Sequence, residues 1–92
     1  MQLRFTARSE RLMRKLDAAN RRDADKALQS FARDPATPGL NFEKLQGHAQ
    51  LYSIRVNRSY RIILRRDPDG NFLEIINVGP HDIYRTLRRR DG

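Results

Sequence analysis

His81 and Tyr84 stand three residues apart in the stretch NVGPHDIYR, Asn77 to Arg85, just after a Gly-Pro break. Pro80 at the first position can open a helical turn. At about 100° per residue, a helix over PHDIYRTLRR points Ile83 and Leu87 toward a core and gathers His81, Tyr84, Arg85 and Arg88 on the other side. That patch is polar, cationic and titratable. The N-terminus of a helical turn attracts anions and, near His81, favours the neutral imidazole, which can accept a proton. Histidine titrates near neutrality, whereas tyrosine at about 10 and arginine above about 12 do not, so His81 is the natural general acid or base. Cleavage of RNA without a metal needs a base for the 2′-OH proton, cations for the phosphate charge and an acid for the departing 5′-oxygen. His, Tyr and Arg can supply all three. The same residues would also make a C-terminal cap, with Tyr84 packing by its ring and His81 bonded to backbone.

The cations that such chemistry needs are placed by two strand patterns. LYSIRVN alternates Tyr52, Ile54 and Val56 with Ser53 and Arg55, and YRIILRR alternates Tyr60, Ile62 and Leu64 with Arg61, Ile63 and Arg65. A hairpin that keeps both apolar sets on one face needs an odd loop, which Asn57-Arg58-Ser59 provides. Arg55 then lies opposite Arg61. Like charges across a strand pair cost roughly a few tenths of a kcal/mol, which an anion between them would offset; two solvated arginines splaying apart is the alternative. DPDG, Asp67 to Gly70, has type I turn preferences and leads to FLEIINVG, which is apolar except at Glu74 and Asn77, as a strand covered on both faces would be. A four-residue loop at DPDG pairs Ile63 with Glu74 and puts that carboxylate on the arginine face.

Upstream, QLRFT reads as a short strand. Ser9 can cap a first helix with Leu12, Leu16 and Ala19 in its apolar stripe and Met13 at the edge. Asn20 can cap a second, with Ala24, Ala27, Leu28 and Phe31, ended by Asp34-Pro35. The two helices are expected to be antiparallel, and DPATPGLNFEKLQG to be an ordered surface connection. Phe42, Tyr52 and Phe72 are expected in the core, and His48, with no partner in view, reads as structural or surface.

The chain is one modest domain, residues 1–92, of α+β class: an N-terminal strand and helical hairpin packed on a small twisted antiparallel sheet, with a short C-terminal helix or turn. Its 92 residues, 38% hydrophobic and 33% charged, exclude both a disordered polymer and a membrane protein. No run of about 18 apolar residues and no signal peptide are present, so a cytoplasmic protein is expected. Without cysteine, and with only two histidines, neither a metal nor another cofactor is expected. The net charge is +8, and Lys44 to Arg66 carries no Asp or Glu. Such a field suits nucleic acid, an anionic membrane or an acidic protein. Sixteen of the nineteen cations are Arg, which suits bidentate phosphate binding, although a G- and C-rich genome would produce the same bias.

KLQGHAQLYSIRVNRSYRIIL, then DPDGNFLEIINVG, then HDIYR resembles the RelE/ParE superfamily of toxin–antitoxin toxins, closely over Leu45 to Arg85 and in element order before that. The resemblance implies a microbial RNase-type fold and, in the RelE-like branch, cleavage of mRNA in the ribosomal A site. It implies that Arg61 contacts the scissile phosphate, that Arg55 is the accompanying basic residue, and that His81 and Tyr84 are the C-terminal catalytic pair. Ser53 stands where lysine-rich members place a further Lys, so a His-containing site fits better than a lysine-based one. RNA contacts extend over Arg58, Arg65, Arg85, Arg88 and Ser53. The expected partners are an acidic antitoxin and mRNA on the ribosome, with rRNA against the basic face. The alternatives are a ParE-like gyrase inhibitor, with DNA gyrase as partner, and a degenerate relative that only binds RNA or antitoxin.

Overall fold

The computed structural model describes residues 2–80, 82 and 83. Its elements are β1 (Leu3–Phe5), α1 (Ala7–Lys15), α2 (Ala18–Arg33), β2 (Glu43–Lys44), β3 (Leu51–Arg55), β4 (Tyr60–Arg66) and β5 (Leu73–Pro80). The strands form one sheet in the order β1-β5-β4-β3-β2. The α+β architecture is as expected, but the sheet is mixed rather than wholly antiparallel. β1 runs parallel to β5, with Leu3 beside Leu73, because the chain crosses both helices and the rest of the sheet before β5 returns to it. The other neighbouring strands are antiparallel.

Both helix caps lie three residues earlier than expected. Thr6 caps α1: its Oγ1 accepts from the Ser9 N–H at 3.0 Å, and Ser9 Oγ accepts from the Thr6 N–H at 2.9 Å. Ser9 is therefore the third residue of the helix, closing a reciprocal box that satisfies two otherwise orphaned donors. Asp17 caps α2 by accepting from the Asn20 N–H at 3.2 Å, which leaves the Asn20 side chain for a tertiary bond. α1 stops at Lys15, so Leu16 is its C-cap, Ala19 is exposed, and Met13 is the most buried apolar residue of the first helix. In α2 the stripe Ala24, Ala27, Leu28 and Phe31 is buried as the spacing predicts.

The core lies between the helices and one sheet face. Phe31, Ile54, Ile62, Leu64 and Ile75 are wholly inaccessible there. Truncating such a Phe typically costs about 3–5 kcal/mol. Phe42 meets Phe31 edge-on at 4.8 Å and stacks on Tyr52 at 5.2 Å, so these rings are core partners and not base platforms. Phe72 differs from its expectation. It is half-buried at the sheet end, with the Arg4 guanidinium 4.0 Å above its ring. The connection after α2 is also less superficial than expected, since it buries Leu40 and contributes edge strand β2.

Two registers fix what faces away from the helices. In the β3–β4 hairpin Arg55 pairs with Arg61 and Ser53 with Ile63. In the β4–β5 hairpin the Asp67 N–H donates to the Phe72 carbonyl at 3.1 Å, inside which the Gly70 N–H donates to Asp67 O at 2.8 Å. Asp67 and Phe72 thus close the loop, and Glu74 pairs with Arg65 rather than with Ile63. The shift is an even number of residues, so Glu74 stays on the arginine face. Farther along, the register slips between Leu64, opposite Ile75, and Ile63, opposite Asn77. Ile76 is the extra residue of this bulge. It lets Ile75 and Val78 both face the helices and turns Asn77 to the other side. Gly79 and Pro80 end β5, opposite Arg61 and Tyr60; of the helical turn expected after them, Asp82 forms a turn and Ile83 is in 3-10 conformation, and the rest lies outside the described residues. Among the described residues, no helix is long and apolar enough to cross a membrane.

Candidate functional site

Cross-strand partners share a face, so the sheet surface away from the helices carries two lateral rows. One is Glu43, Ser53, Ile63 and Asn77; the next is Arg55, Arg61 and Gly79. An open groove of about 610 Å³ lies against the first row, lined by residues including Glu43, Lys44, His48, Ser53, Arg61 and Ile63. Ile63 is buried and makes an apolar floor, while Ser53 brings a hydroxyl and Arg61 a guanidinium. The β2–β3 connection forms the wall.

The arginine pair is braced on backbone carbonyls. Arg55 Nε donates to the Asn57 carbonyl at 3.3 Å, and Arg61 Nη1 donates to the same oxygen at 2.9 Å and to the Tyr60 carbonyl at 3.0 Å. A shared backbone oxygen therefore offsets the repulsion that the register imposes. The two bonds occupy both hydrogens of Arg61 Nη1 and, among the described residues, leave its Nε–Nη2 edge, the fork that matches two oxygens of a phosphate or carboxylate. Fixing one terminal nitrogen in advance also removes rotamer freedom that a ligand would otherwise have to restrict.

The carbonyl is aimed by the Asn57 side chain. Its Oδ1 accepts from the Ser59 and Tyr60 N–H groups, each at 2.9 Å, and its Nδ2 donates to Asn20 Oδ1 and Asp23 Oδ2, also at 2.9 Å. Both donors and both acceptor sites of the amide are used. The hairpin turn is thereby fastened to the start of α2. In the sequence, Asn57 was visible only as a loop residue.

The other named residues divide. Arg55 borders the cleft between α2 and the hairpin, beside Asp23, Lys26 and Asn57, and reaches the groove row only through its pairing with Arg61. Arg58 is exposed at the turn. Arg65 is exposed and engaged: its Nε donates to Glu74 Oε1 at 3.1 Å, and its Nη2 donates to the same oxygen. His81, Tyr84, Arg85 and Arg88 lie outside the described residues. What the structure describes next to them is Ile83, which is buried, and Gly79, where an added Cβ would come within 2.5 Å of Ile83 Cγ2. Gly79 pairs with Arg61, so the missing side chain seats Ile83 on the arginine face.

Two groove residues carried no sequence signal of function. Glu43 sat in a segment read as connection. It lies opposite Ser53 and brings a carboxylate that could accept a proton. His48 lines the groove and has a buried Nδ1 with no hydrogen-bond partner among the described residues.

The model of the ParE-like toxin domain family matches residues 18–86. The structure is similar to the YoeB/ParE toxin from Agrobacterium tumefaciens, with 25% identity over 88% of this chain and 99% of that one, at a TM-score of 0.69. It is similar to the toxin of the intact E. coli RelBE toxin–antitoxin complex, with 26% identity, coverage of 85% and 93%, and a TM-score of 0.66. The archaeal RelE–RelB complex from Pyrococcus horikoshii OT3, at 18% identity, 88% and 94% coverage and a TM-score of 0.68, shares the fold. Among curated proteins, none matches this chain.

Proposed function

The chain belongs to the ParE-like toxin domain family and is a toxin of the type II toxin–antitoxin class, and within that class we propose that it is a ribosome-dependent, metal-independent endoribonuclease that cuts mRNA and so stops translation. The observation that carries this reading is Arg61, braced through its Nη1 on two backbone carbonyls and lining a groove together with Ser53.

In the proposed reaction the 2′-hydroxyl attacks the adjacent phosphorus, its proton passes to a base, and the bond to the 5′-oxygen breaks as that oxygen takes a proton from an acid. The products are a 2′,3′-cyclic phosphate and a 5′-hydroxyl end. Arg61 holds the non-bridging oxygens as charge builds on them, with Arg55 adding positive potential from the neighbouring strand. Preorganised donors of this kind stabilise a transition state most where the groove excludes water. Ser53 donates a further hydrogen bond. His81 transfers one proton and Tyr84 positions the substrate or transfers the other; His81 is two residues from Ile83, which is seated on the face that bears Arg61. Arg58, Arg65, Arg85 and Arg88 extend the contact along the message and rRNA.

An acidic antitoxin is the expected protein partner, and complexes of that kind are among the similar structures. Charge complementarity with a chain of net charge +8 would speed its association.

The ParE-like family model favours a second reading, inhibition of DNA gyrase by binding. Induced expression separates the two. Incorporation of labelled amino acids should fall while plasmid supercoiling is unchanged; a supercoiling response that precedes any loss of translation would favour the gyrase reading.

A further inference from the structure

His48 sits in the β2–β3 connection, where the backbone is tied on both sides of it. Its N–H donates to the Leu45 carbonyl at 3.3 Å, its carbonyl accepts from the Leu51 N–H at 3.2 Å, and the Leu45 N–H donates to Leu51 O at 2.9 Å. Gly47, at φ +80°, supplies the left-handed residue that this tight path needs. The imidazole is therefore presented from a fixed piece of backbone to the groove that holds Ser53 and Arg61. It is half-buried, yet its Nδ1 is buried and has no partner among the described residues. A half-exposed polar side chain ordinarily turns both polar atoms to partners or water, so a bare buried nitrogen calls for an explanation.

The bare nitrogen restricts the tautomer. An unpaired lone pair is tolerated inside a protein more readily than an unpaired N–H, so the proton of the neutral ring belongs on Nε2. That nitrogen is then a donor on a residue that lines the groove together with Arg61 and Ser53, two further donors. Three donors of different type on one groove fit an oxygen-rich anion better than an apolar ligand or a cation. Glu43, which lines the same groove and pairs with Ser53, would repel a second phosphate and so favours a single one.

We infer that His48 is a second histidine of the reaction site, an Nε2–H donor to a phosphate oxygen of the bound RNA strand, acting beside Arg61 and Ser53. The inference rests on the endoribonuclease reading for its ligand, and it requires no proton transfer by His48.

The donor assignment distinguishes amides by reach. The terminal nitrogen of Gln stands near the position of imidazole Nε2, whereas that of Asn stands near Nδ1. Cleavage of ribosome-bound message should fall on the order of 10- to 100-fold for His48→Ala, the worth of one hydrogen bond to a charged oxygen. His48→Gln should recover most of that loss and His48→Asn little of it. Full activity in His48→Ala, or His48→Gln no better than His48→Ala, would overturn the assignment. Nitrogen-15 NMR of histidine-labelled protein provides a readout independent of turnover. His48 should show the Nε2–H tautomer, and its Nε2 resonance should move when a short RNA with methylated 2′-hydroxyls is added; an Nδ1–H tautomer or an unmoved resonance counts against it. A wild-type protein that cuts no message would defeat the endoribonuclease reading and leave the NMR result to decide the contact. A wild-type protein that cuts while His48→Ala cuts equally well would defeat the contact alone.

Discussion

Replacing Asn57 by Ala tests the link between the fold and the proposed site. The substitution removes four hydrogen bonds: two that close the β3–β4 turn at Ser59 and Tyr60, and two that fasten it to Asn20 and Asp23 of α2. A typical net worth is about 0.5–1.5 kcal/mol each. Ser59 and Asp23 are exposed, so their bonds compete with water and lie at the low end, giving a total on the order of 2–3 kcal/mol. For a domain of this size 1 kcal/mol moves the melting midpoint by about 4–8 °C, so a fall of roughly 10–20 °C is expected. The same change loosens the carbonyl that receives Arg55 Nε and Arg61 Nη1. Cleavage should therefore drop by about tenfold even when measured well below the new midpoint. Circular dichroism melts paired with a ribosome cleavage assay read both effects. Asp23→Ala, which removes one exposed bond, should cost less than about 1 kcal/mol and leave cleavage nearly unchanged. An Asn57→Ala protein that melts within about 3 °C of wild type and cuts at the same rate would refute the reasoning.

Gly79→Ala should destabilise by about 1–3 kcal/mol in urea titrations, because the new methyl overlaps Ile83 Cγ2 at 2.5 Å; combination with Ile83→Ala should be clearly less than additive. Glu74→Gln should change stability by less than about 1 kcal/mol, since its pair with Arg65 is partly solvated. It should also release Arg65 and steepen the salt dependence of RNA binding by up to about 0.7 in log–log slope, measured by titration at several salt concentrations. His81→Ala should abolish growth arrest and message cleavage with an unchanged far-ultraviolet spectrum; undiminished cleavage would remove the histidine from its proposed proton-transfer role.

Much of the arrangement was legible in the residues because the face-setting rules are short-range. Alternation in LYSIRVN and YRIILRR, with an odd loop between them, was enough to place Arg55 opposite Arg61. The same parity kept Glu74 on the arginine face although its partner was misplaced, since a four-residue loop begins after Asp67 and not at it. The bulge at Ile76 could have been read. Polar residues at 74 and 77 cannot share a face in a regular strand, and that mismatch of parity is the signature of an inserted residue. The helix starts were harder, because Thr6, Ser9, Asp17 and Asn20 are all acceptable caps, and the reciprocal box between Thr6 and Ser9 and the tertiary bond of Asn20 to Asn57 select between them. The parallel pairing of β1 had no local signal at all. Nor did the groove wall. Glu43 and His48 are brought beside Ser53 and Arg61 by a connection whose course depends on Leu40 being buried and on Gly47 turning left-handed.

Whether Arg61 acts on a scissile phosphate is tested most directly by mapping 5′ ends on a translated message after induction of wild type and of Arg61→Ala. Wild type should give new 5′-hydroxyl ends in register with the reading frame, and Arg61→Ala should reduce them on the order of 100-fold while retaining its fold. Absence of frame-registered ends in wild type, or undiminished ends in Arg61→Ala, would contradict the proposed activity.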